Sequence, residues 1–337
     1  MNHISARSHP TVSIGIPVYN SEKYLGETLQ SLLNQGFKDF EIIISDNGST
    51  DSTPALCRDY AQKDDRVKYY RSDVNHGPGW NYNRVFDLAT GKYFKWHACD
   101  DLLTTDYLEK CIEVLETQPD VILAHSYTAE IDKQGQQIKP VDLTRIYTDH
   151  PQPFVRLRAM LMLGKYLSSA VFGLIRMDVL RQAPRKPSYA HGDVIFMCCL
   201  AVYGRFYQIP EPLFQYRIHE EQSMQTLPTH LAGAKKRRLF PFSGPLPATD
   251  WWDPSKKGKI DFPTWRFYWI MFGFVQGFPM PIAEKLRCHR SVCTRLFKRK
   301  DILRLGIDVL LALETLLQRM QPVRPSKLRE SENRALS

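Results

Sequence analysis

Four times within the first 115 residues, a short β-branched or aromatic run gives way to an apolar-striped stretch that reads as a helix. Residues 12–19 predict a strand, followed by a helix capped by Ser21, carrying Leu25, Leu29, Leu32 and Leu33 on one face and stopped at Gly36. Residues 41–45 predict a second strand, ending in the turn-rich loop Asp46-Asn47-Gly48-Ser49-Thr50-Asp51, and Thr53-Pro54 opens the next helix. A third strand is expected at 66–70, with a glycine-rich loop at 75–79 leading into a helix through Ala89. Gly91 restarts the chain into a buried aromatic strand at 93–97, which runs into Asp100-Asp101. Residues 102–105 break that strand, and Thr105 caps a helix to 117 with Leu108, Ile112 and Leu115 on one stripe. This alternation implies an α/β fold with a parallel sheet and right-handed crossovers.

Later patterns are weaker. They predict strands at 121–126 and 170–176, a turn at Asp132-Lys133-Gln134-Gly135, and a short helix at 177–183. Asp193 leads a helix at 194–203, and two closing strands at 205–209 and 213–218 are split by Pro210 and Pro212. Residues 135–165 carry no firm pattern.

Seven cysteines without a C-x-x-C pair predict reduced thiols in a cytosolic protein. The polar start of the chain has no apolar signal core, and no stretch offers the ~18 charge-free apolar residues of a spanning helix. The net charge of +9 is unevenly placed: residues 231–337 hold 21 Lys+Arg against 9 Asp+Glu. A surplus confined to one tail speaks against a nucleic-acid binder and for contact with an anionic surface. Residues 231–300 combine Lys235-Lys236-Arg237-Arg238 and Lys298-Arg299-Lys300 with a charge-free aromatic run at 267–283. That combination predicts peripheral membrane association; the competing expectation is a helix packed on the main domain. Residues 301–320 form an amphipathic helix whose stripe Ile302, Leu305, Val309, Leu313, Leu316 and Met320 reads as a packing face.

Three acidic loops follow strands: Asp46, the Asp100-Asp101 pair and Asp193. In a doubly wound sheet the first two converge on the carboxyl edge, where ligands bind. Adjacent carboxylates repel unless a cation or donors hold them, and Mg²⁺ or Mn²⁺ is bound by one or two carboxylates plus substrate phosphates. The bland alternative is a pair of solvated loop aspartates. Asp46 can accept from a base or ribose, and a third carboxylate can take a proton from an incoming hydroxyl. Together these groups suit transfer from a nucleoside diphosphate donor. Rival chemistries lack their parts: there is no P-loop, Gly77-Pro78-Gly79 supplies two of the three dinucleotide glycines, and no G-x-S-x-G elbow occurs. A soft-metal site at His97 and Cys99 is not expected, because His97 should point into the sheet.

Four segments resemble family-2 glycosyltransferases of the GT-A fold. They are Ile14-Gly15-Ile16-Pro17-Val18-Tyr19-Asn20 with Tyr24-Leu25; residues 41–51; Asn75-His76-Gly77 through Asn83 to Gly91-Lys92-Tyr93; and Asp100-Asp101-Leu102-Leu103. Phe214-Gln215-Tyr216-Arg217-Ile218-His219 with Ser223 is a weaker fifth. The resemblance covers about residues 10–225. It implies a Rossmann-like sheet flanked by helices: a flexible 1–10, a nucleotide-sugar half at 11–117, an acceptor half at 118–228, and a basic helical extension at 229–337. It places Pro17, Tyr19, Asp46, Asn83 and Asp100 around the nucleotide, Asp101 with Asp100 and His219 on Mn²⁺ or Mg²⁺, and Asp193 as general base of an inverting transfer. The expected donor is a UDP-sugar, and the expected acceptor is a saccharide or lipid-linked saccharide of the cell envelope. The chain departs from the family pattern at Ala98 and Asn47, where acids are usual. Those losses support an alternative, a GT-A module that binds without turnover. A sugar-phosphate nucleotidyltransferase is less favoured, since Tyr19-Asn20-Ser21-Glu22 is not a glycine- and arginine-rich loop.

Overall fold

A computed structural model describes residues 9–139, 147–162, 170–189, 191–222 and 249–320. The cluster Lys235 to Arg238, Ser223 and residues 1–8 of the expected flexible terminus lie outside these residues. The first half follows the expected alternation. Strands β1 (Val12–Val18), β2 (Phe40–Asp46), β3 (Val67–Arg71) and β4 (Tyr93–Trp96) alternate with helices α1 (Leu25–Leu33), α2 (Thr53–Lys63) and α3 (Pro78–Asp87). A two-residue strand β5 (Leu102–Leu103) and α4 (Tyr107–Thr117) follow. Next come β6 (Val121–Ile131), α5 (Pro153–Met162), β7 (Leu174–Arg176), α6 (Met177–Gln182), α7 (Gly192–Tyr203) and β8 (Arg205–Arg217). The C-terminal part is helical: α8 (Thr249–Trp252), a short 3₁₀ turn, α9 (Pro263–Gly277), α10 (Ile282–Leu296) and α11 (Arg299–Met320).

The eight strands form one sheet in the order β3-β2-β1-β4-β7-β6-β8-β5. The first four run parallel, while β7 is antiparallel to both β4 and β6. Continuous apolar strands suit a sheet covered on both faces. One core holds Ile14, Ile16, Leu25, Leu29, Ile42 and Leu108 beneath α1, α2 and α4. The other holds Val85, Trp96, Leu157, Phe196, Met271 and Val292, and so joins α3, α5 and α7 to the C-terminal helices.

Several local expectations are corrected. Ser21 does not cap α1: Tyr24 holds that position, and the Ser21 hydroxyl turns back to the Tyr19 carbonyl at 3.3 Å. Thr105 is not the cap of α4, which starts after Asp106. Residues 102–103 do not leave the sheet but pair antiparallel with β8. The two closing strands are one, because Pro210 and Pro212 lie exposed where the β6–β8 register slips between Ser126 and Thr128 and remove no needed ladder bond. The strand expected at 170–176 shortens to Leu174–Arg176.

The aromatic run of the tail divides by face. Phe267, Tyr268, Met271 and Val275 are buried in the core shared with α5 and α7, so that face is packed on the main domain. Trp269, between them in sequence, points outward and is 82% exposed. The α11 stripe overturns the packing expectation: Ile302, Val309, Leu313, Leu316 and Met320 are all exposed, and only Leu305 leans on the core. Among the described residues, no helix is long and apolar enough to cross a membrane.

Candidate active site at the carboxyl ends of the strands

The β1–β2 register sets Val18 opposite Asp46, and β1–β4 sets Gly15 opposite Trp96. Asp46 and the Asp100 loop therefore emerge at the same sheet edge. The Thr28 hydroxyl, on α1, lies 3.0 Å from both the Cys99 and Asp101 carbonyls and pins the acidic turn. His97 points inward as expected, its Nε2 3.2 Å from the Asp101 carbonyl; burial first, then the neighbouring Lys95, keeps the imidazole neutral.

The carboxylate of Asp101 is fully buried. Its Oδ1 accepts from the Arg217 backbone N–H at 3.0 Å, while Oδ2 has no hydrogen-bond partner. Burial, then the charge of Asp100, raises its proton affinity well above that of an ordinary aspartate, against the Arg217 N–H. Asp100 is partly exposed, and its Oδ2 lies 2.9 Å from His219 Nε2. His219 was expected beside the two aspartates as a metal ligand. In the structure its Nε2 faces Asp100, its ring packs on Tyr24 at 4.7 Å, and its Nδ1 is buried without a hydrogen-bond partner.

Arg217, which sequence reading left without a role, organises this corner. Its guanidinium is fully buried and donates to the carbonyls of Asp100 (2.9 Å), Asp132 (3.3 Å) and Lys133 (2.9 Å) and to the Glu27 carboxylate (2.6 Å). It thus ties α1, the β6 turn and the acidic loop to the end of β8. The only signal for it was its place within the segment 214–219.

Asp193 sits in the first turn of α7, after His191 in a left-handed conformation (φ 65°). Its Oδ1 pairs with Lys186 Nζ at 2.9 Å. Lys186, also unsuspected from sequence, is 8% exposed, and its ammonium lies 3.6 Å from the centre of the Tyr82 ring. The Tyr82 phenol is held well above its usual pKa, by burial first, then by the charge of Asp193, and further by Cys99, Asp100 and Asp101. The candidate base and the acidic pair therefore act on one tyrosine from their separate elements. Asn83, one residue on, spends its amide on the carbonyls of Gly79 (2.9 Å) and Lys186 (3.0 Å), tethering α3 to the loop that carries Lys186.

On the other side of the acidic pair, Pro17 is partly exposed and Tyr19 exposed. The Asp46 carboxylate is fully buried, with Oδ1 accepting from the Ser49 N–H and Oδ2 from the Tyr69 hydroxyl, both at 2.8 Å. Both of its oxygens are thus engaged by the protein's own groups. Asn47 donates to Asn75 Oδ1 (2.9 Å) and the Gly77 carbonyl (3.1 Å), stitching the two loops together. Gly77 adopts φ 86°, and a Cβ there would stand 2.6 Å from the Trp252 carbonyl. Only glycine tolerates that backbone and that approach, so α8 closes against the loop rim.

The acidic pair fits a hard divalent cation. Asp101 Oδ2 is buried and unpartnered beside a second carboxylate, an acceptor-rich corner. Among the described residues, no three His, Cys, Asp or Glu side chains form a closed metal cage. Two carboxylates that leave positions for phosphate oxygens suit Mg²⁺ or Mn²⁺ better than a structural metal. A cavity of about 590 Å³ lies elsewhere, lined by Thr11, Gly91, Lys92, Arg176 and Arg181 at the opposite sheet edge. There Arg176 is spent on the carbonyls of Val121, Leu115 and Gln118.

The profile of glycosyl transferase family 2 matches residues 13–183. An uncharacterised glycosyltransferase of Haemophilus influenzae is 35% identical over 136 residues, covering 40% of this chain and 54% of the relative. An uncharacterised glycosyltransferase of Methanocaldococcus jannaschii is 27% identical over 266 residues, 78% of this chain and 85% of the relative. The crystal structure of S. aureus TarS 1–349 in complex with UDP-GlcNAc superposes with a TM-score of 0.61 at 17% identity, covering 90% of this chain and 81% of that one. That likeness is one of fold, the curled sheet with a helical C-terminal part. The family profile spans half of the chain and contains the strand ends from Pro17 to Asp101, and on that ground the chain belongs to glycosyl transferase family 2.

Proposed function

We propose that the chain transfers a sugar from a nucleoside diphosphate sugar, a UDP-sugar, to a hydroxyl acceptor with inversion. The observation that carries this reading is the unpartnered, buried Oδ2 of Asp101 beside Asp100, with Asp193 across Tyr82. The UDP-GlcNAc complex of the structural neighbour supports the donor class. Pro17 and Tyr19 offer the nucleoside an open face, while Asp46, Asn47 and Asn83 hold the loops around it. Residues 11–117 serve the donor and 118–228 the acceptor. Asp101 and Asp100 would hold Mn²⁺ or Mg²⁺, which when bound supplies Lewis-acid stabilisation of the leaving diphosphate.

Asp193 accepts the proton of the acceptor hydroxyl at Oδ2, since Oδ1 is held by Lys186. The acceptor oxygen then bonds to the anomeric carbon as the carbon–diphosphate bond breaks on the opposite face. Lys186 fixes the base in place over the face of the Tyr82 ring. The acceptor is a saccharide or lipid-linked saccharide of the cell envelope, reached from the inner face of the membrane.

Thermal shift with UDP and UDP-sugars, with and without Mn²⁺, tests the reading, because a ligand of the native state raises apparent stability. Wild-type protein should show a Mn²⁺-dependent shift that Asp101→Asn loses while keeping its fold. Unchanged Mn²⁺-dependent UDP binding in that variant defeats the metal assignment, and release of pyrophosphate instead of nucleoside diphosphate defeats the transfer reading.

A further inference from the structure

Helix α11 is built the wrong way round for a helix that packs on a domain. Its buried side carries Asp301, Arg304 and Asp308 with Ile307 and Ala312. Asp308 accepts from the Thr264 N–H at 2.7 Å and its hydroxyl at 3.3 Å, and Asp301 faces Arg295 at 3.8 Å. The opposite side carries Ile302, Gly306, Val309, Leu313, Leu316 and Met320 at three- and four-residue steps, flanked by Leu303, Leu310 and Leu317. Leu310 is 65% and Leu317 63% exposed, and no described residue covers the stripe. A continuous apolar surface of this length marks an interaction face.

We infer that this stripe lies on an anionic membrane surface, with α11 parallel to the plane of the bilayer. The charges around it select that occupant. Lys298-Arg299-Lys300 lead into the stripe and are exposed, while Arg319 at the far end donates to the Gly258 carbonyl, so the denser positive charge lies at the leading end. A second copy paired helix to helix in parallel would set these cations against one another. The flanking positions, where paired helices place complementary charges, hold Leu303, Leu310 and Leu317 instead. An anionic lipid surface answers both features, with headgroups for the cations and a shallow apolar layer for the leucines. The neighbouring helix adds interfacial aromatics: Trp265, whose Nε1 donates to the Leu305 carbonyl at 3.1 Å, and Trp269, one turn further, are both exposed. This relocates the expected membrane contact from the aromatic run, whose core-facing side is packed, to α11.

The inference deepens the proposed function and rests on its membrane-borne acceptor for a purpose. Donor hydrolysis in vesicle-free solution reads that function separately. The full chain is sedimented with vesicles of phosphatidylcholine alone or mixed with phosphatidylglycerol. Wild type should sediment only with the anionic vesicles. The exposed triple variant Leu310→Ser/Leu313→Ser/Leu317→Ser should bind at least ~10-fold more weakly, with melting temperature and vesicle-free hydrolysis unchanged. Lys298→Gln/Arg299→Gln/Lys300→Gln should lose about fivefold per removed charge, and its binding should respond less to salt. No sedimentation of wild type with anionic vesicles at low salt overturns the inference. So does a leucine variant that sediments like wild type, which would leave the contact to basic segments alone. A wild-type dimer that the leucine variant dissociates, seen by light scattering, also overturns it and assigns the stripe to a second copy.

Discussion

The strand ends around Asp101 and helix α11 both bury charge, but they differ in what that burial leaves over. At the strand ends Asp101, Arg217, His97 and Lys95 are all inside, held by backbone groups from several elements. The arrangement leaves Asp101 Oδ2 and the Nδ1 atoms of His97 and His219 without partners, and that remainder is polar and points to a ligand. In α11 the inward Asp301 and Asp308 find partners on α9 and α10, and the remainder is an apolar stripe on the outside. A buried charge satisfied by the protein is architecture, whereas an unsatisfied group, polar inside or apolar outside, is where a partner is missing.

Three substitutions sharpen that contrast. The largest effect belongs to Asp193→Asn, which should cut transfer by ~10²–10⁴-fold with donor binding and melting temperature retained. Single-turnover rates against UDP affinity decide it. A variant with lower stability but the wild-type rate would make Asp193 a structural partner of Lys186 and no more.

Lys95→Met comes next. Lys95 lies between the rings of Tyr107 (4.6 Å) and Phe214 (5.4 Å) and donates to the Phe172 carbonyl, and burial lowers its pKa from 10.5 to about 7. The unfolded chain therefore binds more protons than the folded one between about pH 7 and 10.5, and wild-type stability rises with pH across that window. Removing the lysine should stabilise the protein by ~1–4 kcal/mol below pH 7, because the Tyr107 hydroxyl still serves the Phe172 carbonyl at 3.1 Å. The advantage should shrink steadily toward pH 10. Denaturant melts of both proteins across pH 6–10 that show a constant gap would mean Lys95 is charged throughout.

Asp308→Ala should have the smallest effect, ~1–2 kcal/mol of destabilisation, since the Thr264 N–H in the first turn of α9 loses its acceptor. A change within ~0.5 kcal/mol, the range of an ordinary surface substitution, would show that the inward polar side does not hold α11 in place.

Much of the first half of the chain was legible because its information is local. Buried strands at 12–18 and 40–46 declare themselves by β-branched runs, and Asp100-Asp101 stands where a strand pattern stops. Asp193 was legible as a candidate through resemblance and its loop position. Arg217 and Lys186 were not, because a buried cation is recognised by what surrounds it: Arg217 meets groups 84 to 190 residues away in sequence. Nor could the sequence foresee that His219 would be taken up by Asp100, or that Asp46 would spend both oxygens on Ser49 and Tyr69.

The last helix separates the two kinds of information most sharply. Sequence by itself determined that residues 301–320 are amphipathic, because periodicity records which residues share a face. It also determined the alternating α/β order and the acidic edge, since strand ends and turns are set by neighbours along the chain. Tertiary structure alone decided which face of α11 turns inward. Thr264 hydrogen-bonds Asp308 and Arg295 lies 3.8 Å from Asp301, so the face turned inward is the one that meets polar partners on α9 and α10. Periodicity carries no sign, and only the chemistry of the opposing surface supplies one.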